Sequence, residues 1–396
     1  MRGTLLATTI LAGTAVMAAG AAQAQDKAGP VELTVGGYMQ GYMNYASQSD
    51  GAGPDNVSGT ADDAPGHNRR NFGFLREGEI HFTGRTVLDN GLRVGVHVEL
   101  EAEDDVNQID ESYVWFENNL GRIQFGKAYP ASYIMFYGAP TPVDGLGINT
   151  PNFLPVNSSN SSGVGNLIST PATYVGASKV EHLTYFTPRV VGIQLGVSYA
   201  PTACQAGNAG TNACGGSYAG QQVANVAGQA YDQLSVGANY VNTFGGFDVG
   251  VYGGYIQTEN GVAAGAIGTN TGDMKQWGFG ASVGYMGFTL GGGYRKSEDI
   301  GMTRGLDGWD WNVGLTYTTG PWTVGGQYGQ TEYDLAPRTD DFNGASVGAQ
   351  YELGPGINLG VAVQYFDWGT NSTNPAISVP ATNEAWNVTA GTSITF

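Results

Sequence analysis

From Val31 onward the chain alternates between apolar and polar positions. Val31, Leu33 and Val35 open a strand that reaches Tyr45. In Asn71–Val87, Ile80, Phe82 and Gly84 share one face, and Glu77, Glu79, His81, Thr83 and Arg85 share the other. Leu88-Asp89-Asn90-Gly91 turns the chain. Leu92, Val94, Val96, Val98 and Leu100 then alternate with Arg93, Gly95, His97, Glu99 and Glu101. A period of two is that of a strand, whose successive side chains point to opposite faces. IDESYVWFENNLGRIQFGK gives two more strands joined at Asn118-Asn119-Leu120-Gly121, residues that tolerate positive φ. KVEHLTYFTP and VGIQLGVSYAP follow, with a short turn at Pro188 to Val190. The rhythm then becomes regular, in hairpins at 231–258, 275–296, 308–332 and 342–368 and a last strand Glu384–Phe396. The pattern predicts sixteen strands, each about ten residues long, the length that crosses a bilayer at a tilt.

The connections alternate in length. Turns at Asn90, Asn119, Pro188, Gly245, Gly287, Gly320 and Pro355 are short. Those at 47–69, 128–172, 201–230, 259–273, 298–307, 333–341 and 369–383 are longer and polar, and only 104–108 is brief on that side. Short turns at one end and long loops at the other predict an antiparallel transmembrane β-barrel. A soluble β-propeller would show a blade repeat of about 40–50 residues, which is missing. Lipid cannot satisfy an open sheet edge, so the first strand must pair with the last. The outward face of that last strand is Trp386, Val388, Ala390, Thr392, Ile394 and Phe396, with Phe396 at the lipid interface. Tyr45, Tyr113, Trp115, Tyr285, Tyr317, Trp322, Tyr351 and Trp368 lie near strand ends, as an aromatic girdle would.

Sixteen strands enclose a lumen too wide for side chains to fill. The third long connection, about residues 128–170, is rich in Tyr, Phe, Ile, Leu and Pro. That composition seeks packing rather than disorder. Folded inward it would narrow the lumen, whereas folded outward it would expose an apolar flap.

Composition adds the compartment. Residues 1–24 read as a signal peptide: Arg2, an apolar stretch from Leu5 to Gly20, then Ala22-Gln23-Ala24 as the cleavage site. Residues 25–396 then form one barrel domain. Export implies an oxidising compartment, and Cys204 and Cys214, within one Gly/Ala/Asn-rich segment, are expected to form a local disulfide. Glycine is abundant, 64 of 396 residues, without collagen's period. The formal charge is −18 and grows by one when Arg2 leaves with the leader, which excludes nucleic acid as a partner.

Parity supplies the pore chemistry. Glu77, Glu79, Glu99, Glu101, Glu103 and Asp110 face the lumen on three strands adjacent in sequence. Arg85 and Arg93 share that face but lie toward the short Asp89–Gly91 turn. Asp144 is the carboxylate of the long loop. Together, Glu79, Arg85, Arg93, Glu99, Glu101, Asp110 and Asp144 are the candidate pore residues. A concave wall of like charge focuses its field and favours cations. Arg69, Arg70, Lys127 and Lys179 are the groups that would neutralise it.

Other chemistry is weaker. His81 and His97 lie near Glu79 and Glu99, but no nucleophile in a fitting arrangement accompanies them, so catalysis is not expected. No cofactor is expected. The acidic pairs Asp62-Asp63, Asp104-Asp105 and Asp340-Asp341 are the candidate Ca²⁺ sites on external loops, with solvated charge the plainer reading.

The Val-Glu-Leu-Thr-Val-Gly-Gly-Tyr opening, the Ile109–Lys127 hairpin before a long third loop, Tyr185-Phe186-Thr187-Pro188 and the terminal Phe396 together resemble the Gram-negative general porins. The resemblance covers the whole mature chain. It implies homotrimers in the outer membrane among lipid and lipopolysaccharide, insertion guided by the C-terminal strand, and a third loop forming the constriction. It also implies passive diffusion of small hydrophilic solutes and ions. Relatives often carry arginines facing the third loop. Here the matching positions hold Glu79 and Asp110. A substrate-specific channel for sugars or an anion stays open, with Tyr129, Tyr133, Phe136 and Tyr137 as the sugar-stacking candidates. A plugged structural or adhesive barrel stays open too.

Overall fold

Antiparallel strands joined by tight turns satisfy every backbone group only when the sheet closes on itself. The computed structural model shows that closure. It describes residues 29–48, 70–102, 108–148, 171–203, 230–260, 272–335, 338–372 and 381–396. The expected signal peptide, Glu103, Arg69, Cys204, Cys214, Asp62-Asp63 and Asp104-Asp105 lie outside them.

The strands are β1 (Glu32–Gln48), β2 (Phe72–Val87), β3 (Arg93–Glu101), β4 (Ile109–Asn118), β5 (Gly121–Ala128), β6 (Val180–Phe186), β7 (Ile193–Thr202) and β8 (Ala230–Phe244). They continue with β9 (Phe247–Asn260), β10 (Met274–Tyr285), β11 (Phe288–Glu298), β12 (Asp307–Thr319), β13 (Trp322–Leu335), β14 (Arg338–Gly354), β15 (Ile357–Ser372) and β16 (Ala381–Thr395). Each pairs with its sequence neighbours, and β1 pairs with β16, closing a sixteen-stranded barrel. The seam runs from Tyr38 opposite Thr395 to Gln48 opposite Ala385. Two 3.0 Å backbone bonds between Gly37 and Phe396 extend it by one further pair.

One face of each strand carries exposed apolar side chains, such as Leu195, Val197 and Tyr199 on β7 or Val361, Val363 and Tyr365 on β15. The alternate face is polar or small and buried, for example Ser198 and Ala200, or Ala362 and Gln364. This is the apolar-out, polar-in alternation of a membrane barrel. Trp386, Val388, Ile394 and Phe396 face outward as expected.

Three expectations are corrected. Within the connection at 333–341, residues 333–335 and 338–341 are strand: β13 runs to Leu335 and β14 starts at Arg338, directly opposite. The ladder continues through these polar residues, helped by a 2.6 Å bond from Thr339 Oγ1 to Asp334. Asp340 and Asp341 are therefore successive strand residues pointing to opposite faces rather than a loop pair. Trp368 is buried inside with Phe342 and Phe366 instead of joining the girdle. Tyr113 and Trp115 also face inward, because β4 pairs Tyr113 with His97 and Trp115 with Gly95 on the inner face of β3.

Candidate functional site

The inner wall of β2, β3 and β4 gathers the acidic residues. Register sets Glu79 opposite Glu101, His81 opposite Glu99 and Thr83 opposite His97. Period two aligns Glu77, Glu79, His81 and Thr83 along the same face. His81 Nε2 lies 2.7 Å from Glu79 and 3.8 Å from Glu99. His97 Nε2 lies 2.8 Å from Glu99. Tyr38 donates to Glu77 at 3.2 Å. Glu79 and Glu99 are buried.

Between β3 and β4 the register slips from Val98–Ser112 to Leu100–Ile109. This bulge turns consecutive residues, Asp110 and Glu111, toward the interior. A carboxylate oxygen of Asp110 joins those of Glu79 and Glu99 within 4.8 Å. Glu111 accepts the Tyr129 backbone N–H at 3.2 Å. Strict alternation misses Glu111, and no residue signal marks the bulge. Two ammonium groups answer six carboxylates in this quadrant. Lys179 pairs with Asp110 and lies 4.5 Å over the Tyr129 ring. Lys127 donates to the Ile109 carbonyl at 2.6 Å.

The described parts of the long connection, 129–148 and 171–179, bond to inner-face side chains around much of the barrel. A short helix, α1 (Ala131–Ile134), starts it. Ala131 N donates to Ser198 on β7, and Ser132 N to Ser235 on β8. Gln327 on β13 donates to the Pro140 carbonyl at 2.7 Å. Gln364 on β15 reaches the Leu146 carbonyl, and Tyr42 on β1 the Asp144 carbonyl. Asn312 on β12 holds the Pro171 carbonyl. The connection's described residues thus find partners on β1, β7, β8, β12, β13 and β15. Its apolar residues seat in the wall: Met135 and Val175 against Tyr252 and Ile256, and Val143 and Leu146 against Tyr42 and Ala362.

Glycine explains how backbone approaches backbone. A methyl group on Gly280 would overlap the Tyr137 carbonyl oxygen, one on Gly291 that of Gly138, and one on Gly314 would lie 2.7 Å from that of Pro140. These three glycines, on β10, β11 and β12, form a bed on which residues 137–140 lie flat. Part of the glycine excess is thus spent on seating this segment. Tyr129 and Tyr133 stack at 3.8 Å, and Tyr174 packs edge-on against Tyr133 and Phe136. These rings cover one another rather than standing as a ladder.

The remaining candidates fall elsewhere. Arg85 is exposed, 3.8 Å from Glu32, and Arg93 pairs with Glu117 at 3.1 Å. Both lie toward the short-turn end, away from the carboxylate quadrant. Asp144 turns to the wall, where Asn358 donates to it at 3.0 Å. Burial holds its carboxyl above the usual range, and these polar neighbours oppose the shift. A separate buried pair, Arg295–Asp310 at 2.7 Å, supports the Tyr174 carbonyl.

A family model described as Gram-negative porin matches residues 7–371. A search of curated proteins finds no match. Among solved structures, a refined porin aligns with a TM-score of 0.55 at 16% identity, covering 92% of this chain and all of that one (100%). The anion-selective porin from Comamonas acidovorans aligns at 0.59 with 14% identity, covering 93% and 100%. OmpT of Vibrio cholerae, in its trimer form, aligns at 0.53 with 14% identity, covering 94% and 100%. At these identities the structural likeness is one of fold.

Proposed function

The chain belongs to the Gram-negative porin family and is an outer-membrane channel, and from that premise we propose a water-filled, cation-preferring pore for passive diffusion of small hydrophilic solutes and ions. The observation that carries the preference is the β2–β4 quadrant, where six carboxylates face two ammonium groups. In a confined lumen, with low-dielectric walls, such a field enriches cations and depletes anions. The third long connection narrows the lumen in this reading, supported by its inner-face bonds to six strands. Transport rather than catalysis is assigned from the family and the closed barrel, with His81 and His97 tied to carboxylates on the wall. Export through a leader at residues 1–24 and assembly as a homotrimer belong to the same proposal. The trimer form of a structural neighbour supports the latter. A sugar-specific channel is disfavoured, since Tyr129, Tyr133 and Phe136 pack into the loop's own aromatic cluster.

Reconstitution tests the proposal. Purified protein in planar bilayers is expected to give stepwise ohmic currents, and proteoliposomes should swell in small neutral sugars but not in large ones. A folded barrel that passes neither ions nor sugars would instead be the plugged structural barrel.

A further inference from the structure

On the inner face of the β2–β3 hairpin the Nε2 atoms of His81 and His97 converge on one carboxylate, Glu99, and we propose that His81, His97 and Glu99 bind a divalent transition-metal cation of the Zn²⁺ class. Each of the three offers one ligand atom, and these atoms lie within 4.8 Å of one another. Nε2 of His97 is 2.8 Å and Nε2 of His81 3.8 Å from the same Glu99 oxygen. Tetrahedral zinc with bonds of about 2.0–2.1 Å needs ligand atoms about 3.4 Å apart. The group therefore needs only side-chain shifts of an ångström or so to close on an ion. Glu79, 2.7 Å from His81 Nε2, holds that ring toward the site.

The surroundings suit the purpose. The other ring nitrogen of His97, Nδ1, is hydrogen-bonded to Thr83 Oγ1 at 2.9 Å. That bond fixes the ring with Nε2 toward the carboxylates, as outer-shell partners of metal-bound histidines do. The two imidazole rings meet edge-on at 5.6 Å, so neither blocks the other's Nε2. Both rings sit in strands whose register is fixed by ladder bonds on each side. Imidazole nitrogen beside carboxylate selects Zn²⁺, Cu²⁺ or Ni²⁺ over Mg²⁺ and Ca²⁺, which prefer all-oxygen shells. The acidic quadrant, including Asp110 and Glu101, raises the local concentration of any cation. Lys179, paired with Asp110, opposes the charge of this quadrant.

The test is zinc titration of the full detergent-solubilised barrel, prepared without affinity-tag histidines, and it does not depend on channel activity. We expect one saturable Zn²⁺ site per chain that excess Mg²⁺ does not displace. His81→Gln and His97→Gln should each weaken it by about tenfold or more, while His182→Gln, which sits apart against Gln233 and the Ala128 carbonyl, leaves it unchanged. Unaltered heat-modifiable migration shows that each variant folds. X-ray absorption of the zinc-loaded unmodified protein should show two imidazole ligands and no sulfur, a readout that needs no variant. Absence of saturable binding, binding that survives both histidine changes, or a shell of oxygen or sulfur ligands alone would overturn the site.

Discussion

Lys179 is the residue at which one substitution is expected to change selectivity most. Its ammonium is buried between Asp110 and the Tyr129 ring. Lys179→Met is expected to leave Asp110 unopposed and raise the cation-to-anion permeability ratio, read from bi-ionic potentials. Losing the Asp110 pairing and the Tyr129 contact should also lower the thermal stability of the barrel. Asp144 behaves differently. Burial raises its folded-state pKa above that of the unfolded chain. A raised acid disfavours the folded state once ionised, so its penalty is present at neutral pH and vanishes as pH falls below its unfolded value. Asp144→Asn should therefore match or exceed the unmodified protein in thermal dissociation at neutral pH, with the difference closing in acid. A variant that is less stable at neutral pH and equal in acid would contradict this. At this scale the sequence was partly legible. Glu77, Glu79, Glu99 and Glu101 follow from parity, because every register step keeps them on one face. Glu111 did not, because a bulge inserts one residue and its cause lies in β3–β4 pairing rather than in local composition. Trp115 was misplaced because an aromatic near a strand end fits a girdle equally well. Only its partners, Gly95 beneath it and Arg122 4.8 Å away, show that it faces inward.

Among the elements, the seam and the glycine bed are the most exposed to test. Phe396 closes β1 onto β16 through paired backbone bonds with Gly37 and presents its ring outward. Removing Phe396 is expected to lower membrane insertion while synthesis continues, seen as less heat-modifiable barrel in outer-membrane fractions. Normal yield would detach insertion from this strand. On the bed, Gly291→Val forces a side chain into the Gly138 carbonyl. Such overpacking costs about 1–3 kcal/mol. If residues 137–140 then lift from the wall, single-channel conductance and its noise should change while strand content by circular dichroism stays constant. Conductance identical to the unmodified protein would place this segment away from the ion path. The hairpins were readable element by element, since two-residue periodicity and Gly or Asn turns are local signals. The β13–β14 connection was not, because a polar run looks like a loop although its residues pair as strands. The seating of 129–148 was also invisible, since its partners lie up to 218 residues away in sequence.

For the whole molecule, closure turns scattered carboxylates into a field. β2, β3 and β4 bring Glu77, Glu79, Glu99, Glu101, Asp110 and Glu111 to one side of one lumen. The net charge of −18 adds little, because charges beyond about 8 Å are screened at physiological ionic strength. Arg85 and Arg93 belong to the short-turn end and are paired with Glu32 and Glu117. They lie toward the short turns rather than in the acidic quadrant. The alignment with an anion-selective porin carries the fold alone, so selectivity follows from this chain's own wall. Reversal potential in a KCl gradient, measured across a planar bilayer holding the purified protein, is the most direct test. The account predicts a potential on the cation-selective side that shrinks as salt rises and when Glu79→Gln and Asp110→Asn are combined. A potential on the anion-selective side in the unmodified protein would contradict it.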